Sequence, residues 1–340
     1  MRAIELSDYG PVDNFRLIDA AEPTAGPGEI RIRVAYAGLR WGDIMQRNGR
    51  PAKDVAAPFI AGQEVTGYID QIGDGVAGFE IGQPVFAGIR NGGFAEYVSV
   101  PVDSTLIVPL PESVPLDSAL AYPVNLRTAY FAVYVWGQIA DGQTVLVHAA
   151  AGGVGQFIVQ IIKRDFTNVR VIGICGSQVK AESLTKMGCD HVINRKTQDY
   201  VAEVARICGP KATGFTTGGD QGGGVDVSLN GVSGDTLAKD AQVIRKRGRW
   251  VIFGYAGDDR PTPIDTDPIT YDGITILPAS QIAWAGTPQS DEADAFIGDW
   301  LVNHPLVQTE HWPLEQVADA QRALEAGQTI GKVVFDIRPS

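Results

Sequence analysis

Along the first third of the chain, apolar and polar residues alternate in short runs of period two. Ile30-Arg31-Ile32-Arg33-Val34 sends its aliphatic side chains to one face and its arginines to the other, as a half-buried strand does. Residues 65–72, 84–87 and 94–100 continue the pattern, and Gly73, Gly75, Gly78, Gly82, Gly92 and Gly93 punctuate it. Many short strands at this spacing predict a barrel-like or sandwich β domain. The period changes near Pro123. From Thr144 onward, apolar strands alternate with amphipathic helices: strand 145–147, helix 157–162, strand 169–174, helix 179–187 ending at Gly188, and strand 191–193. Residues 225–229 and 250–253 read as further strands, with a helix over 236–245 between them. Such alternation predicts a parallel sheet with right-handed crossovers. Residues 209–224 are rich in glycine and predict a surface loop. Beyond Ile274 the pattern turns irregular. It resolves into helices over 291–302 and 314–326 and a strand over 332–337, expected to return to the first domain.

Composition narrows the function classes. A chain of 340 residues suits about two domains. With 28 Lys and Arg against 40 Asp and Glu, the net charge is −12, which disfavours nucleic acid and anionic membrane as partners. Glycine numbers 40, about one residue in eight against a usual ~7%, which implies tight turns and close backbone approaches. Cys175, Cys189 and Cys208 form no CxxC pair, which argues against a disulfide framework and against a cysteine-rich zinc module. Arg2, Glu5 and Asp8 interrupt the N-terminal segment, so no secretory signal is expected there. No run reaches the ~18 apolar residues of a membrane span, and the expected location is cytoplasmic.

The clearest motif follows strand 145–147 and opens a helix: His148-Ala149-Ala150-Ala151-Gly152-Gly153-Val154-Gly155-Gln156. Ala150, Gly152 and Gly155 take the three small positions of a dinucleotide loop. Small residues there admit a pyrophosphate to the backbone and to the helix N-terminus. The alternative is a tight strand-to-helix turn without a ligand. Selectivity for NAD needs an acidic residue at the end of the next strand, about 20 residues on. Here that segment reads Ile174-Cys175-Gly176-Ser177-Gln178-Val179-Lys180, with no carboxylate. Ser177 and Lys180, with Arg195 beyond the third strand, can instead receive a 2′-phosphate, so NADPH is the expected cofactor. The alternative for Lys180 and Arg195 is a solvated surface charge.

These residues resemble the medium-chain dehydrogenase/reductase superfamily over nearly the whole chain. Gly38-Leu39-Arg40-Trp41-Gly42-Asp43 and Ala61-Gly62-Gln63-Glu64-Val65-Thr66-Gly67 match its two active-site segments. Gly75-Val76-Ala77-Gly78-Phe79 and Gly93-Phe94-Ala95-Glu96-Tyr97-Val98 match further turns and strands of the family. Pro123-Val124-Asn125-Leu126-Arg127-Thr128-Ala129-Tyr130 and Gly331-Lys332-Val333-Val334 resemble its quinone oxidoreductase and VAT-1-like branch. The resemblance implies an α/β protein with a GroES-like β-barrel catalytic domain (1–123 and 275–340) and a Rossmann doubly wound parallel-sheet cofactor domain (124–274), the active site lying in the cleft between them.

Zinc-dependent relatives carry a cysteine where Arg40 stands and a histidine where Gln63 stands. Arginine has no lone pair to offer, and a glutamine is a poor zinc ligand. The four clustered cysteines of a structural zinc lobe near residues 90–115 are also missing, so no metal is expected. The resemblance then implies a reductase of quinones or conjugated carbonyls, in which Arg40 donates to the acceptor oxygen while Asp43 and Gln63 orient the pocket. Arg40 is equally open to pairing with Asp43 or Glu64 as a space filler. Trp41 is either a stacking wall or core, and Tyr130 and Tyr255 are candidate proton donors. The cofactor contacts implied are Asn125 and Thr128 at the nicotinamide end, Ala151, Gly152, Gly153, Val154 and Gly155 at the pyrophosphate, and Gly176, Ser177, Lys180 and Arg195 at the 2′-phosphate. Asn230, Phe253 and Gly254 at strand ends and Lys332 complete the set. A homodimer is expected from relatives. Two alternatives stay open: an ene reductase for 2-enals, 2-enones or enoyl thioesters, and a non-catalytic NADPH-binding protein of crystallin or VAT-1 type.

Overall fold

The computed structural model describes residues 1–50, 55–211, 222–257, 263–304 and 307–337. Most of the glycine-rich stretch read as a surface loop, residues 212–221, lies outside them. The chain divides into two compact units, Met1–Val124 with Ile297–Ser340, and Asn125–Phe296.

The first unit is built on the long strand Glu29–Leu39. One edge of this strand pairs antiparallel with Glu64–Ile72. The other edge is shared: Glu29 to Arg33 pair with Tyr97–Pro101, and Tyr36 to Leu39 pair with the C-terminal strand Lys332–Asp336. Register shifts at Arg31/Ile32 and Val34/Tyr36 bend the strand so that it can serve both partners. The expected return of the terminal strand is thus realised. A smaller sheet, Phe15–Asp19, Arg2–Leu6 and Phe59–Ile60, is tied on by the Ala3–Ala95 bridge. Ile30, Ile32, Val65, Phe94 and Phe335 make the core between them. The strand expected over 94–100 begins only at Tyr97, because Phe94 turns inward to meet Phe335 edge-on at 5.1 Å.

The second unit carries a six-stranded parallel sheet. Its spatial order is His191–Asn194, Arg170–Cys175, Thr144–Val147, Val225–Asn230, Ile244–Ile252 and Thr275–Pro278, or 3-2-1-4-5-6 in order along the chain. This is the doubly wound dinucleotide-binding order, and it reverses between Thr144–Val147 and Val225–Asn230. Val145, Leu146 and Val147 are fully buried, as a central parallel strand covered on both faces must be.

Two expectations need correction here. The helix over 236–245 stops at Val243, and the next strand starts at Ile244 rather than 250. Its polar stretch Arg245-Lys246-Arg247 hid the strand, because a bulge and a positive φ at Arg247 interrupt the alternation. The second domain also extends past 274. Thr275–Pro278 pairs in parallel with Arg249 to Ile252, so residues 275–296 lie with the sheet unit and not with the β unit. Four residues ending in proline are too few to show a period. No described helix is long and apolar enough to cross a membrane.

Candidate functional site

The sheet unit gathers most of the expected cofactor residues at the carboxyl ends of its strands. Thr144–Val147 runs into the loop, and the helix Gly153–Asp165 opens at Gly152. A Cβ on Gly155 would stand 2.5 Å from the Ala149 carbonyl and 2.6 Å from Ala150 Cα, so only glycine lets this helix seat so tightly on the turn. Ala149 sits at φ +48°, and Gly152 N–H donates to its carbonyl at 2.9 Å. The amides of Gly153, Val154 and Gly155 have no carbonyl one turn back to bond, which leaves a bare, partly positive rim for an anion. Gln156, buried, fastens the loop from below by donating to the Ala151 carbonyl at 3.0 Å.

One strand over, Arg170–Cys175 ends at the Gly176–Ser177 turn. Ser177 caps the helix Gln178–Met187 by accepting from the Lys180 amide. Lys180 is buried rather than a solvated surface lysine. The Arg195 guanidinium lies 3.6 Å from where a Gly176 Cβ would be. Burial pushes the neighbouring Cys175 thiol up, while the Ser177 backbone and the charges of Lys180 and Arg195 pull it down. Ser177 and Arg195 thus border the Gly176 turn, and Lys180 opens the helix that follows it. Phe253 and Gly254 follow the strand Ile244–Ile252. Gly254 packs so tightly on the Gly231 backbone that a Cβ would meet its carbonyl at 2.6 Å. Asn125 and Thr128 lie half-buried on the helical turns that open this unit.

Asn230, expected among the cofactor contacts, hydrogen-bonds within its own turn and to Asp240. Its Oδ1 accepts from the amides of Val232 and Ser233 at 2.8 and 2.9 Å, and its Nδ2 donates to Thr236 Oγ1 and Asp240 Oδ2 at 2.9 and 2.8 Å. Fully buried with each of these bonds made, this side chain shapes its turn. Asp240 anchors the network that sequence reasoning missed. It accepts from His148 Nε2 at 2.8 Å, Tyr200 OH at 2.9 Å, Ser228 Oγ at 2.9 Å and Asn230 Nδ2. Burial alone would raise its carboxyl, but these donors outweigh burial and hold it below the usual range. The signal was a histidine closing an apolar strand and an aspartate on the apolar face of a helix.

The expected catalytic residues gather in the β unit. Arg40 precedes the short helix Trp41–Arg47, whose Asp43 accepts from the Arg40 amide at 2.8 Å. The Arg40 guanidinium donates through Nη2 to Gln63 Oε1 at 2.8 Å and to the Gln63 carbonyl at 3.3 Å. Its Nε approaches Glu64 Oε2 only to 3.5 Å, and both atoms are left without a hydrogen bond. Glu64, with no exposure, is instead paired through Oε1 with the Lys332 ammonium, which also donates to the Leu39 carbonyl at 3.2 Å. Lys332, expected on the cofactor, is here buried and paired with Glu64, the carboxylate that a buried ammonium requires. Bare backbone makes the room: a Cβ on Gly38 would meet Glu64 Oε1 at 2.3 Å, and one on Gly42 would meet Gln63 Oε1 at 2.7 Å. Burial drives the Asp43 carboxyl up to about 6 against the pull of Arg40. Tyr130 donates to Glu292 at 3.2 Å and Tyr255 stands at the surface.

This donor set does not fit a dication. Arg40 has no lone pair, Gln63 has its oxygen turned to Arg40, and Glu64 already neutralises an ammonium. Among the described residues no group of three or more His, Cys, Asp or Glu is arranged around a common point.

Residues 26–112 match the alcohol dehydrogenase GroES-like domain family, and residues 153–296 match the zinc-binding dehydrogenase family. A probable quinone oxidoreductase of Leishmania amazonensis is 37% identical over 335 residues, covering 95% of this chain and 93% of that protein. The chain belongs to the medium-chain dehydrogenase/reductase superfamily, in its quinone oxidoreductase and VAT-1-like branch. A 2-haloacrylate reductase of a Burkholderia species is 29% identical over 345 residues, 98% of each chain. The matched region spans 56% of the human VAT-1 homolog-like protein, at 33% identity over 75% of this chain. Among solved structures, a mycobacterial protein complexed with NADPH superposes with a TM-score of 0.84 at 26% identity, over 98% of this chain and 99% of that one. The GroES-like and Rossmann expectations are therefore met at the level of fold and family.

Proposed function

We propose that this chain is an NADPH-dependent, zinc-independent reductase acting on quinones or other activated conjugated carbonyl compounds. The observation that carries the reading is the pair of cations, Lys180 in the helix after the Gly176–Ser177 turn and Arg195 beside Gly176, with no carboxylate in that turn where an NAD enzyme requires one. The loop from Ala151 to Gly155 holds the pyrophosphate, Gly176, Ser177, Lys180 and Arg195 the 2′-phosphate, Phe253 and Gly254 the wall of the crevice, and Asn125 and Thr128 the nicotinamide end. When bound, NADPH supplies a hydride to an electron-poor carbon of the acceptor. Arg40 and Gln63 offer N–H donors to the acceptor oxygen, where negative charge grows as the hydride arrives. Asp43 fixes the Arg40 backbone through its amide. Similarity to a 2-haloacrylate reductase supports a second reading, saturation of an activated C=C bond, which the same donors serve. Among the described residues, the strand Thr275–Pro278 pairs along one edge only, and nearby Ile282 is 82% exposed, so a homodimer through this face is part of the proposal.

The test is NADPH and NADH consumption in parallel, against benzoquinone and a 2-enal. Quinone-dependent oxidation of NADPH ahead of NADH supports the reading, and Lys180→Ala weakens NADPH by roughly tenfold or more while changing NADH little. Equal loss for both cofactors would reject the phosphate assignment.

A further inference from the structure

The guanidinium of Arg40 is an incomplete ion pair. Only 23% of the side chain is exposed, yet no carboxylate hydrogen-bonds it. Its hydrogen bonds go to the two neutral oxygens of Gln63. The nearest carboxylate, Glu64, gives Oε1 to Lys332 and reaches Arg40 Nε with Oε2 only at 3.5 Å, and Asp43 accepts from the Arg40 backbone and not from its side chain. A largely buried cation is ordinarily matched by a hydrogen-bonded anion, because the cost of taking it out of water is recovered only that way.

The unfilled valences point the same way. Among the described residues, Arg40 Nη1 and Gln63 Nε2 have no partner, and neither is among the buried unsatisfied atoms, so both meet solvent. Gln63 has its oxygen turned inward to Arg40, which leaves its amide NH2 outward. The solvent-facing atoms of these two side chains are therefore N–H-bearing nitrogens, while Glu64 Oε2 and Asp43 Oδ1 are buried. Two adjacent donor groups, one fully charged, match the two oxygens of a carboxylate. A neutral carbonyl would use one of them and leave the other without an acceptor.

We propose that Arg40 and Gln63 form a carboxylate-binding site, and that the preferred acceptor is an α,β-unsaturated carboxylate. The acceptor's identity rests on the reductase reading above; the carboxylate contact does not. Crotonate and crotonamide share shape and differ in charge. With saturating NADPH, the wild-type chain favours crotonate over crotonamide by about tenfold or more in kcat/KM. Arg40→Gln brings that ratio to one or below, and Arg40→Lys, which keeps the charge and loses the fork, falls between. Independently of turnover, calorimetry without cofactor detects binding of butyrate but not butyramide, and Arg40→Gln abolishes it. Reduction of benzoquinone without preference for crotonate, together with no Arg40-dependent butyrate binding, overturns the inference and leaves the reductase standing. If no acceptor is reduced, the reductase reading falls and the butyrate titration alone decides the carboxylate site.

Discussion

Asp240 in the sheet unit and Glu64 in the β unit are both carboxylates with no exposed surface, and each sits among cationic or N–H-bearing neighbours. Around Asp240 both oxygens are used: four side chains donate to them, and Asn230 passes the order on to two backbone amides. Around Glu64 one oxygen holds Lys332, while Oε2, Arg40 Nε and Asp43 Oδ1 are left without hydrogen bonds. A closed network is a brace, here fastening the end of the phosphate-loop strand to the turn after Asn230. An open one is a site still waiting for part of its chemistry, and buried polar groups without partners are uncommon enough in folded proteins to require such an account.

The largest effect expected from this contrast is at the brace. Asp240→Asn leaves His148 and Tyr200 facing a side chain that cannot accept from all four donors. It should lower stability by ~3–5 kcal/mol in urea unfolding, the range for breaking a buried charged network. A loss below about 1 kcal/mol would show that the network is not a brace.

Asp43 gives an intermediate effect of opposite sign. Its carboxyl keeps its proton to about 6 in the folded chain against an ordinary 3.8, so folding is favoured most below that lower value. The advantage is lost as pH rises through 6, and above it the buried charge costs up to about 3 kcal/mol. Asp43→Asn can still accept from the Arg40 amide. It should therefore raise stability at pH 8 by about 1–3 kcal/mol and flatten the pH dependence between 4 and 7, followed by urea titration across that range. Greater loss at pH 8 than at pH 5 would reverse the assignment.

The smallest effect belongs to Arg40. With no carboxylate hydrogen-bonded to its guanidinium, Arg40→Gln should change stability by less than about 1 kcal/mol. A loss as large as that of Asp240→Asn would mean that Arg40 is structural.

The strands and the phosphate loop were legible because apolar periodicity and small residues leave a direct trace. Ile30 to Val34 alternates visibly, and Gly155 stands where the backbones nearly touch. Thr275–Pro278 was not legible, because a four-residue edge strand carries too little period to see, and Arg245 to Arg247 disguised the start of another strand. The side-chain partners of Lys332 and Asn230 were not legible for one reason. Sequence places a residue at a strand end but not the partner that its side chain finds, and Glu64 lies 268 residues from Lys332. Arg40 was legible as a departure from metal ligation, whereas the diversion of Glu64 to Lys332, which leaves Arg40 open, depends on tertiary packing.

The central claim is hydride delivery to an activated acceptor at a site where Arg40 and Gln63 replace metal ligands. Its most direct test is quinone-dependent NADPH oxidation by protein of measured zinc content, before and after chelation. The account predicts undiminished turnover with zinc far below one atom per chain and no response to added zinc. Activity that vanishes on chelation and returns with zinc would contradict it.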